Sequence, residues 1–397
     1  MNIKSAFQKP FDAAEYGNRI ADVKSRMSSA GFDLIICQDP ANMCWLTGFD
    51  GWSFYMPQAV LLHLDDAFPI WFGRAQDARA ACVTTDLPDE NIIGYSERLV
   101  HHPLDHPFDE LCAMVIDRGW ARARIGVELD AHYYTARGHA HLVKGLPNCR
   151  IDDSRELVNW ARLVKSDAEL DHMRAAGRIC SRTMRRAIDT IAPGVPQHQV
   201  IAETYSSQIT ALEGKHGDYT SMCPLIQVGD GTSTPHLTWS AEPLPDNTLI
   251  VMEIAGAHRH YHAPLTRSIH LGRPPEKITR LTSVIVEGGD AALEVMRTGN
   301  TAEHVEDVWQ KVLNRNGFSK DSRVGYSIGL NFPPDWGERT VSLRPGDQTE
   351  LKAGMCFHFQ SGVWLDDFGA AISEPVVVTD HGAERLCDVT RELIVVH

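Results

Sequence analysis

Hydrophobic residues recur along this chain at two spacings, which predict its helices and its strands. Apolar positions three or four residues apart follow Ser166, and Glu169 stands where a capping box requires an acidic side chain. A long helix is therefore predicted to begin there and to end at Pro193. Short unbroken apolar runs, typical of buried strands, occupy 33–37, 60–64, 69–72 and 124–128.

The pattern changes near residue 160, and the change divides the chain into two predicted domains. Strands alternate with helices over 1–160, which predicts an α/β domain with a mixed sheet. Over 161–397, long amphipathic helices separate strand-rich stretches, which predicts a second, α+β domain. A length of 397 residues also favours two domains over one.

Composition excludes several classes of function. Lys and Arg total 38 against 52 Asp and Glu, so the formal net charge is −14, and no basic stripe points to nucleic acid as a partner. We expect no membrane partner, because no apolar run has the length of a membrane span, and no signal peptide. Nine cysteines scattered singly are typical of reduced thiols in a cytoplasmic protein.

Glu253 is the most conspicuous candidate for chemistry, because it lies inside the apolar stretch 249–255. A buried carboxylate is costly unless it has a partner or a task. If Glu253 is structural rather than catalytic, we expect it to form an ion pair with a neighbour such as Arg267. His236 precedes this strand, and an imidazole can transfer protons near neutral pH, although a lone histidine is more often structural.

Three strips of sequence, 253–267, 325–339 and 354–362, resemble the signature strips of the pita-bread hydrolases. That family includes methionine aminopeptidase, prolidase and creatinase. The resemblance implies an α+β protein, with a C-terminal pita-bread domain preceded by a creatinase-type α/β domain. It also implies a function for His236, because pita-bread enzymes carry a proton-transferring histidine at this place.

In the metallopeptidases of that family, the strips supply two aspartates, one histidine and two glutamates to a pair of metal ions. Here the first four positions hold Glu253, Pro264, Tyr326 and Gln360. A proline side chain cannot bind metal, and a dinuclear site needs bridging carboxylates. We therefore expect no metal and no cofactor, as in creatinase.

The fifth ligand position depends on the register of one strand. Counting back from the strand 376–379 aligns Ser373 with the family's fifth metal ligand, and Glu374 is the next residue. In a strand, a shift of one residue moves the side chain to the opposite face. We expect a local irregularity to turn Glu374 into the site. Histidines 258, 260, 262 and 270 could suggest a metal, but we interpret them as one face of a strand and its turn.

Motifs over nearly the whole chain resemble one branch of this family, the ectoine hydrolases. The motifs are Asp39-Pro-Ala-Asn-Met43, Gly51-Trp-Ser-Phe-Tyr55, Gly217-Asp-Tyr219, Pro235-His-Leu-Thr-Trp239 and Pro333-Pro-Asp-Trp-Gly-Glu-Arg339. The resemblance implies opening of the cyclic amidine ring of ectoine, with 5-hydroxyectoine as a second candidate substrate. The product would be Nα- or Nγ-acetyl-L-2,4-diaminobutyrate. An amidinium carbon is already positive, so it needs no metal to polarise it.

The resemblance also suggests roles for individual residues. Glu253 would pair with the amidinium or attack its carbon, His236 would move the proton, and Glu374 would hold the ring nitrogen. Arg339, or a clamp from residues 51–55 of a neighbouring subunit, would bind the substrate carboxylate. The resemblance therefore implies a homodimer in which the neighbour's N-terminal domain completes each active site. The further residues expected to bind substrate are Trp52, Phe54, Tyr55, Tyr326, Asp335, Trp336 and Gln360.

Other functions stay open at this point. Another metal-free amidinohydrolase, such as a creatinase, is the nearest alternative and would release urea. A lyase acting on a sulfonium zwitterion is more distant, because pita-bread lyases retain metal ligands. A non-catalytic pita-bread binding protein is a third alternative, and a peptidase is disfavoured by the missing ligands.

Overall fold

The computed structural model describes residues 9–397, which fall into two compact units divided between Arg162 and Leu163. The first unit contains one six-stranded sheet. Its strands are β1 (Leu34–Cys37), β2 (Ala59–His63), β3 (Ile70–Arg74), β4 (Ile92–Tyr95), β5 (Arg124–Val127) and β6 (Arg150–Asp153). Its helices are α1 (Ala13–Ala30), α2 (Pro40–Thr47), α3 (Ala78–Thr84), α4 (Pro107–Asp117), α5 (Ala136–Gly145) and α6 (Leu157–Ala161).

The sheet of the first unit has the strand order β4-β3-β2-β1-β5-β6 and is mixed, as the alternation of strands and helices predicts. β2 runs antiparallel to both β1 and β3, whereas β5 runs parallel to β1. Both faces are covered, because Leu34 and Ile36 belong to one hydrophobic cluster and Ile35 and Cys37 to another.

The second unit contains four helices and two larger sheets. The helices are α7 (Asp167–Thr190), α8 (Gln197–Ile209), α9 (Glu276–Val295) and α10 (Ala302–Arg315). One sheet, ordered β17-β9-β8-β7, consists of β7 (Leu225–Val228), β8 (Leu249–His258), β9 (Tyr261–Leu271) and β17 (Ile394–Val396). The other, ordered β11-β10-β12-β15-β16, consists of β10 (Gly325–Ile328), β11 (Gly337–Leu343), β12 (Cys356–Phe359), β15 (Glu374–Val378) and β16 (Ala383–Arg385). A hairpin joins β13 (Gly362–Trp364) to β14 (Gly369–Ala371).

The predicted capping box at the start of α7 is confirmed. The Ser166 hydroxyl accepts a hydrogen bond from the Glu169 amide, and the Glu169 carboxylate accepts one from the Ser166 amide at 2.9 Å. Within residues 9–397, no helix is both long and apolar enough to cross a membrane.

Helices cover one face of each large sheet in the second unit, and this leaves the other face for polar side chains. Met252 and Ile254 of β8 pack with Cys180 and Met184 of α7. On the second sheet, the β12 residues Phe357 and Phe359 share a cluster with Trp309 of α10, among others. Side chains alternate along a strand, so the residues between these apolar positions point away from the helices.

β8 lies very close to α7, and Gly256 permits this approach. A Cβ atom at Gly256 would lie 2.1 Å from the carbonyl oxygen of Ala176 and 2.5 Å from the amide nitrogen of Cys180. A glycine is required here so that the backbones can meet, and the contact holds the strand that carries Glu253 against the helix.

Candidate active site

Glu253 lies in the middle of β8 on the face turned away from α7, opposite Thr266 of β9. Its side chain is 6% exposed, and its Oε2 accepts a hydrogen bond of 3.1 Å from the Gln360 side-chain amide. Burial raises the pKa of Glu253 to about 7, although Thr266, Gln360 and Lys320 each lower it. Glu253 can therefore change its charge near neutral pH.

A second set of polar side chains continues across β10 and β12, where Tyr326 and His358 are cross-strand partners. The Tyr326 hydroxyl lies 2.8 Å from Nε1 of Trp336 and 3.0 Å from Nδ1 of His358. Nε2 of His358 lies 2.7 Å from the Ser373 hydroxyl oxygen, which is also 2.7 Å from the backbone nitrogen of Thr266. The chain of contacts therefore ends at Thr266 of β9, the residue paired with Glu253 of β8.

The directions of these hydrogen bonds depend on the tautomer of His358. An indole N–H can only donate, so the Tyr326 hydroxyl accepts from Trp336. Burial lowers the pKa of His358 to about 3, with further lowering by Lys320 and Arg323, so the ring is neutral at physiological pH. With its single N–H at Nε2, the ring donates to Ser373 and accepts from Tyr326, and with the N–H at Nδ1 both directions reverse.

Ser373 lies at the end of this chain of contacts. Its oxygen accepts from the amide of Thr266. When His358 carries its N–H at Nε2, the Ser373 oxygen also accepts from His358, and the hydroxyl hydrogen of Ser373 is then available to a molecule bound in the site.

Glu374 does not join this network, and the expectation that an irregularity turns it into the site is wrong. β12 and β15 pair regularly, with Glu374 opposite Phe359, so its side chain lies on the helix-covered face. There Glu374 forms a fully buried ion pair with Arg267, at 2.6 Å. Arg267 also donates to the carbonyl of Ser373 at 2.7 Å, so Glu374 supports the site from behind.

The five ligand positions of the resemblance therefore hold Glu253, Pro264, Tyr326, Gln360 and Ser373. Only one is a carboxylate, and the tyrosine oxygen already accepts from Trp336 and shares a hydrogen bond with His358. No group of three or more His, Cys, Asp or Glu side chains that could hold a metal occurs in the described part of the chain. These donors do not fit a two-metal centre, which needs bridging carboxylates.

The histidines of β8 and β9 make separate backbone contacts rather than converging. His262 is buried, with Nδ1 placed 2.8 Å from the His260 carbonyl and Nε2 accepting from the Ser221 amide at 2.9 Å. Burial lowers the pKa of His262 to about 3. His258 lies 2.8 Å from the His216 carbonyl. Each of these rings stabilises the local backbone.

His236 lies in an exposed segment after β7, outside the network around Glu253. The Gln227 amide donates to the carbonyls of Pro235 and Leu237, at 3.1 and 3.0 Å, and so holds the backbone on both sides of His236. The imidazole itself makes no hydrogen bond with residues 9–397. The structure therefore fixes the main chain at His236 but does not bring its ring into contact with the buried groups.

The remaining predicted residues occupy three kinds of position. Trp336 is fully buried and joins the network through Tyr326. Asp335 accepts from the Gly337 amide at 3.0 Å, and Arg339 is half-buried with a left-handed backbone. In the first unit, Phe54 is buried, whereas Trp52 and Tyr55 are 57% and 62% exposed.

Sequence reasoning missed two residues of the site, His358 and Lys320. His358 could have been found, because it lies in β12 two positions before Gln360, which follows this strand directly in the extended chain and so shares the face of His358. Lys320 has no such signal, since it lies in the loop between α10 and β10. Its ammonium donates to the Gln360 carbonyl at 2.8 Å.

Comparisons with known proteins agree with this architecture. The sequence matches Metallopeptidase family M24 over residues 171–380 and the Creatinase/Prolidase N-terminal domain over residues 19–164. An ectoine hydrolase of Halomonas elongata is 41% identical, over 97% of this chain and 98% of its own length. An uncharacterized hydrolase/peptidase of Sinorhizobium fredii is 40% identical over the same shares.

Solved structures show the same fold at low sequence identity. A prolidase from Thermococcus sibiricus has a TM-score of 0.84 and 16% identity, over 97% of this chain and 100% of its own. The dipeptidase PepE from Mycobacterium ulcerans has a TM-score of 0.79 and 22% identity, over 97% of this chain and 99% of its own. At these identities the likeness concerns the fold alone.

Proposed function

We infer that this protein, which belongs to the M24 family and carries a creatinase/prolidase N-terminal domain, is a hydrolase that opens the cyclic amidine ring of ectoine. The expected α+β fold, a pita-bread domain preceded by a creatinase-type α/β domain, is confirmed by both family matches and by the solved structures. The near-full-length identity of 41% to an ectoine hydrolase supports the substrate. Creatinase activity is not better supported than ectoine hydrolysis.

One buried anion, the Glu253 carboxylate, carries this proposal. Family metallopeptidases use metal ions to polarise a neutral amide, but the donors here do not fit such a centre. An amidinium carbon is already electron-poor, and a single carboxylate can pair with it. The site therefore suits a substrate that brings its own positive charge, and we propose that the reaction is independent of metal.

The reaction adds water across the amidine carbon and breaks one ring C–N bond. Glu253 either holds the amidinium while water attacks or attacks the carbon itself to give an adduct that water then hydrolyses. The oxygen of water becomes the carbonyl oxygen of the acetyl group, and both hydrogens of water end on the departing ring nitrogen, which leaves as an ammonium. The product is N-acetyl-L-2,4-diaminobutyrate.

Ser373 and the residues behind it would stabilise the adduct. We propose that His358 carries its N–H at Nε2, which leaves the hydroxyl hydrogen of Ser373 available. This hydrogen can donate to a ring nitrogen whose lone pair develops as the amidine carbon becomes tetrahedral. In this tautomer, Tyr326 and His358 hold the donor in one direction without changing charge. His236, which faces solvent, remains a proposed exchanger of protons between the site and water.

We also propose a cytoplasmic homodimer. The exposed Trp52 and Tyr55 support it, because large aromatic side chains exposed on a surface are typical of contact sites. In the dimer, the 51–55 segment of the neighbour would help to enclose the substrate, together with Asp335, Trp336 and Arg339. Sedimentation of the intact chain tests this, and a monomer at working concentration would contradict it.

Ectoine incubated with chelator-treated protein is expected to be converted completely to the ring-opened product. Proton NMR follows the loss of the ring methyl signal and the appearance of an acetyl signal. Creatine and a prolyl dipeptide, incubated in parallel, should stay intact. Activity that the chelator abolishes and zinc or manganese restores would refute metal independence, and unchanged ectoine would refute the function.

Ser373→Ala is expected to lower kcat by about 10- to 100-fold, because a preorganised donor at the reacting centre is lost. Ser361→Ala is the matched control, since the Ser361 hydroxyl donates to the Ile372 carbonyl and lies beside Gly289 of α9 rather than in the hydrogen-bond chain of Ser373. Steady-state kinetics with ectoine would compare the two. Equal losses in both variants would show that Ser373 acts only through packing.

A further inference from the structure

Gln360 follows β12 directly, and its backbone is fixed on both sides. Its amide nitrogen donates to the carbonyl of Val324 at 2.7 Å, and its carbonyl accepts from the Lys320 ammonium at 2.8 Å. The side chain therefore starts from a backbone that the segment before β10 holds in place. Its far end meets Glu253 of β8 and Thr266 of β9.

The side-chain amide of Gln360 is oriented by these two neighbours. An ionised carboxylate can only accept hydrogen bonds, so the NH2 group faces Glu253 and donates to its Oε2 at 3.1 Å. The amide oxygen then faces the Thr266 hydroxyl, which donates to it at 3.4 Å. Because Thr266 is paired with Glu253 across β8 and β9, the three side chains hold one another in a closed arrangement.

The hydrogen bond from Gln360 constrains the Glu253 carboxylate. The amide binds Oε2, so rotation of the carboxylate about its last side-chain bond would break this contact. Oε1 is left to face a bound molecule. A carboxylate that is already held in one orientation loses little freedom in the reaction, which favours attack or pairing over that of a mobile group.

The charge of residue 360 matters as much as its shape. In the family's metallopeptidases this position holds a glutamate, whereas here it holds an amide. A second carboxylate within hydrogen-bonding distance of Glu253 could not be ionised together with it, so one of the two would keep a proton. The amide avoids this conflict. The charged and titratable groups that act on Glu253 from neighbouring segments are Lys320, before β10, and Tyr326 of β10.

We propose that Gln360 is a positioning residue, which holds the Glu253 anion in one orientation with Oε1 presented to the amidine carbon and makes no contact of its own with the substrate. This role rests on the proposed function, since it belongs to the same reaction. It replaces the expectation that Gln360 binds the substrate. It also gives a physical reason for an amide at this position in a site with a single catalytic carboxylate.

Gln360→Met keeps the length of the side chain and removes both of its polar ends. We expect kcat for ectoine at pH 7 to fall by about 10- to 100-fold, while KM changes by less than about threefold. The acidic limb of kcat/KM should move up by about one pH unit, because the anion loses a hydrogen bond. Steady-state kinetics with ectoine between about pH 5 and about pH 10 measures these changes.

Gln360→Glu reverses the electrostatic effect of the amide. Repulsion between the two carboxylates should move the acidic limb up by about two pH units or more, so that activity is lost at neutral pH and partly returns in alkaline buffer. An acidic limb that stays at the wild-type pH in this variant would contradict the proposed contact between residue 360 and Glu253.

Gln208→Met is the matched control. Gln208 is a buried glutamine of α8 that donates to the carbonyl of Ala255 at 2.8 Å, so its loss disturbs β8 without removing a partner of the Glu253 carboxylate. The acidic limb of this variant should stay where it is in wild type. A raised KM with an unmoved limb in Gln360→Met would instead show that Gln360 binds the substrate. An equal loss of activity at every pH would show that it acts only through packing.

A direct titration of Glu253 separates this role from the proposed function. Carbon-13 NMR of protein labelled at the glutamate carboxyl carbons, with Glu253→Gln to identify the signal, needs no substrate. The midpoint should be higher in Gln360→Met than in wild type by about one pH unit. Equal midpoints overturn the positioning role even if ectoine is hydrolysed. If wild type leaves ectoine unchanged but the midpoint moves as expected, only the proposed function fails.

Discussion

Glu253→Gln is expected to lower kcat for ectoine by about a thousandfold or more, while the free energy of unfolding stays the same or rises. The substitution keeps the size of the side chain and removes its charge, which is buried and costly. An amide can neither pair with the amidinium as an anion nor attack its carbon. Steady-state and single-turnover kinetics with ectoine, together with urea unfolding, measure both effects.

The pH dependence of the wild type provides a second readout of the same group. The pKa of Glu253 is raised to about 7, so in the free enzyme the reactive anion is lost as the pH falls through that value. The acidic limb of kcat/KM should therefore lie near pH 7. Lys320, Thr266 and Gln360 are the groups that oppose this shift, and a bound amidinium should move the limb of kcat to lower pH.

Glu306→Gln is the matched control, because Glu306 is another buried glutamate with a raised pKa, on α10. It should keep wild-type kcat and the same acidic limb. Near-normal turnover in Glu253→Gln would show that Glu253 takes no part in the chemistry. A wild-type kcat/KM that does not decrease as the pH is lowered below about 7 would show the same.

Glu374→Gln is expected to destabilise the protein by about 3 kcal/mol, because it leaves a buried guanidinium without its counter-charge. Arg267 and Glu374 are both 0% exposed and 2.6 Å apart. Arg267 also donates to the carbonyls of Thr266 and Ser373, at 2.8 and 2.7 Å, so the backbone behind the site should loosen as well. Denaturant unfolding measures the loss, and kcat should fall with it.

The comparison for this variant is Glu384→Gln, which removes the ion pair of Glu384 with Arg174, both 39% exposed. An exposed pair contributes less than about 1 kcal/mol, so this control should be nearly neutral. The double variant Arg267→Met with Glu374→Leu should recover part of the loss, since neither charge of the pair is then left unpaired, although the carbonyls bound by Arg267 lose their donor. A loss below about 1 kcal/mol in Glu374→Gln would show that the pair does not stabilise the fold.

Much of the second unit could be predicted because its signals are local. Ser166 and Glu169 interact across one helical turn, so their spacing is enough to predict the start of α7. Glu253 stands out because the residues on either side of it, 249–252 and 254–257, are all apolar. The substitutions at Pro264, Tyr326 and Gln360 could be recognised for a similar reason, since each lies in a strip that can be compared residue by residue.

The orientation of Glu374 could not be predicted from the same kind of evidence. Its face depends on whether β15 pairs regularly with β12, and that pairing involves atoms from distant parts of the chain. Counting along the strand pointed to Ser373, and the preference for a carboxylate in the site pointed to Glu374. The regular pairing decides in favour of Ser373.

The sequence by itself determined the family, the start of the long helix α7 and the absence of most metal-binding side chains from the signature strips, because these are properties of short segments. Only the tertiary structure decided which groups meet. It joined Tyr326, His358 and Ser373 into one chain of hydrogen bonds and placed the Gln360 side-chain amide against the Glu253 carboxylate. These contacts depend on how strands and loops pack across the fold, where a side chain's neighbours are set by distance in space rather than in sequence.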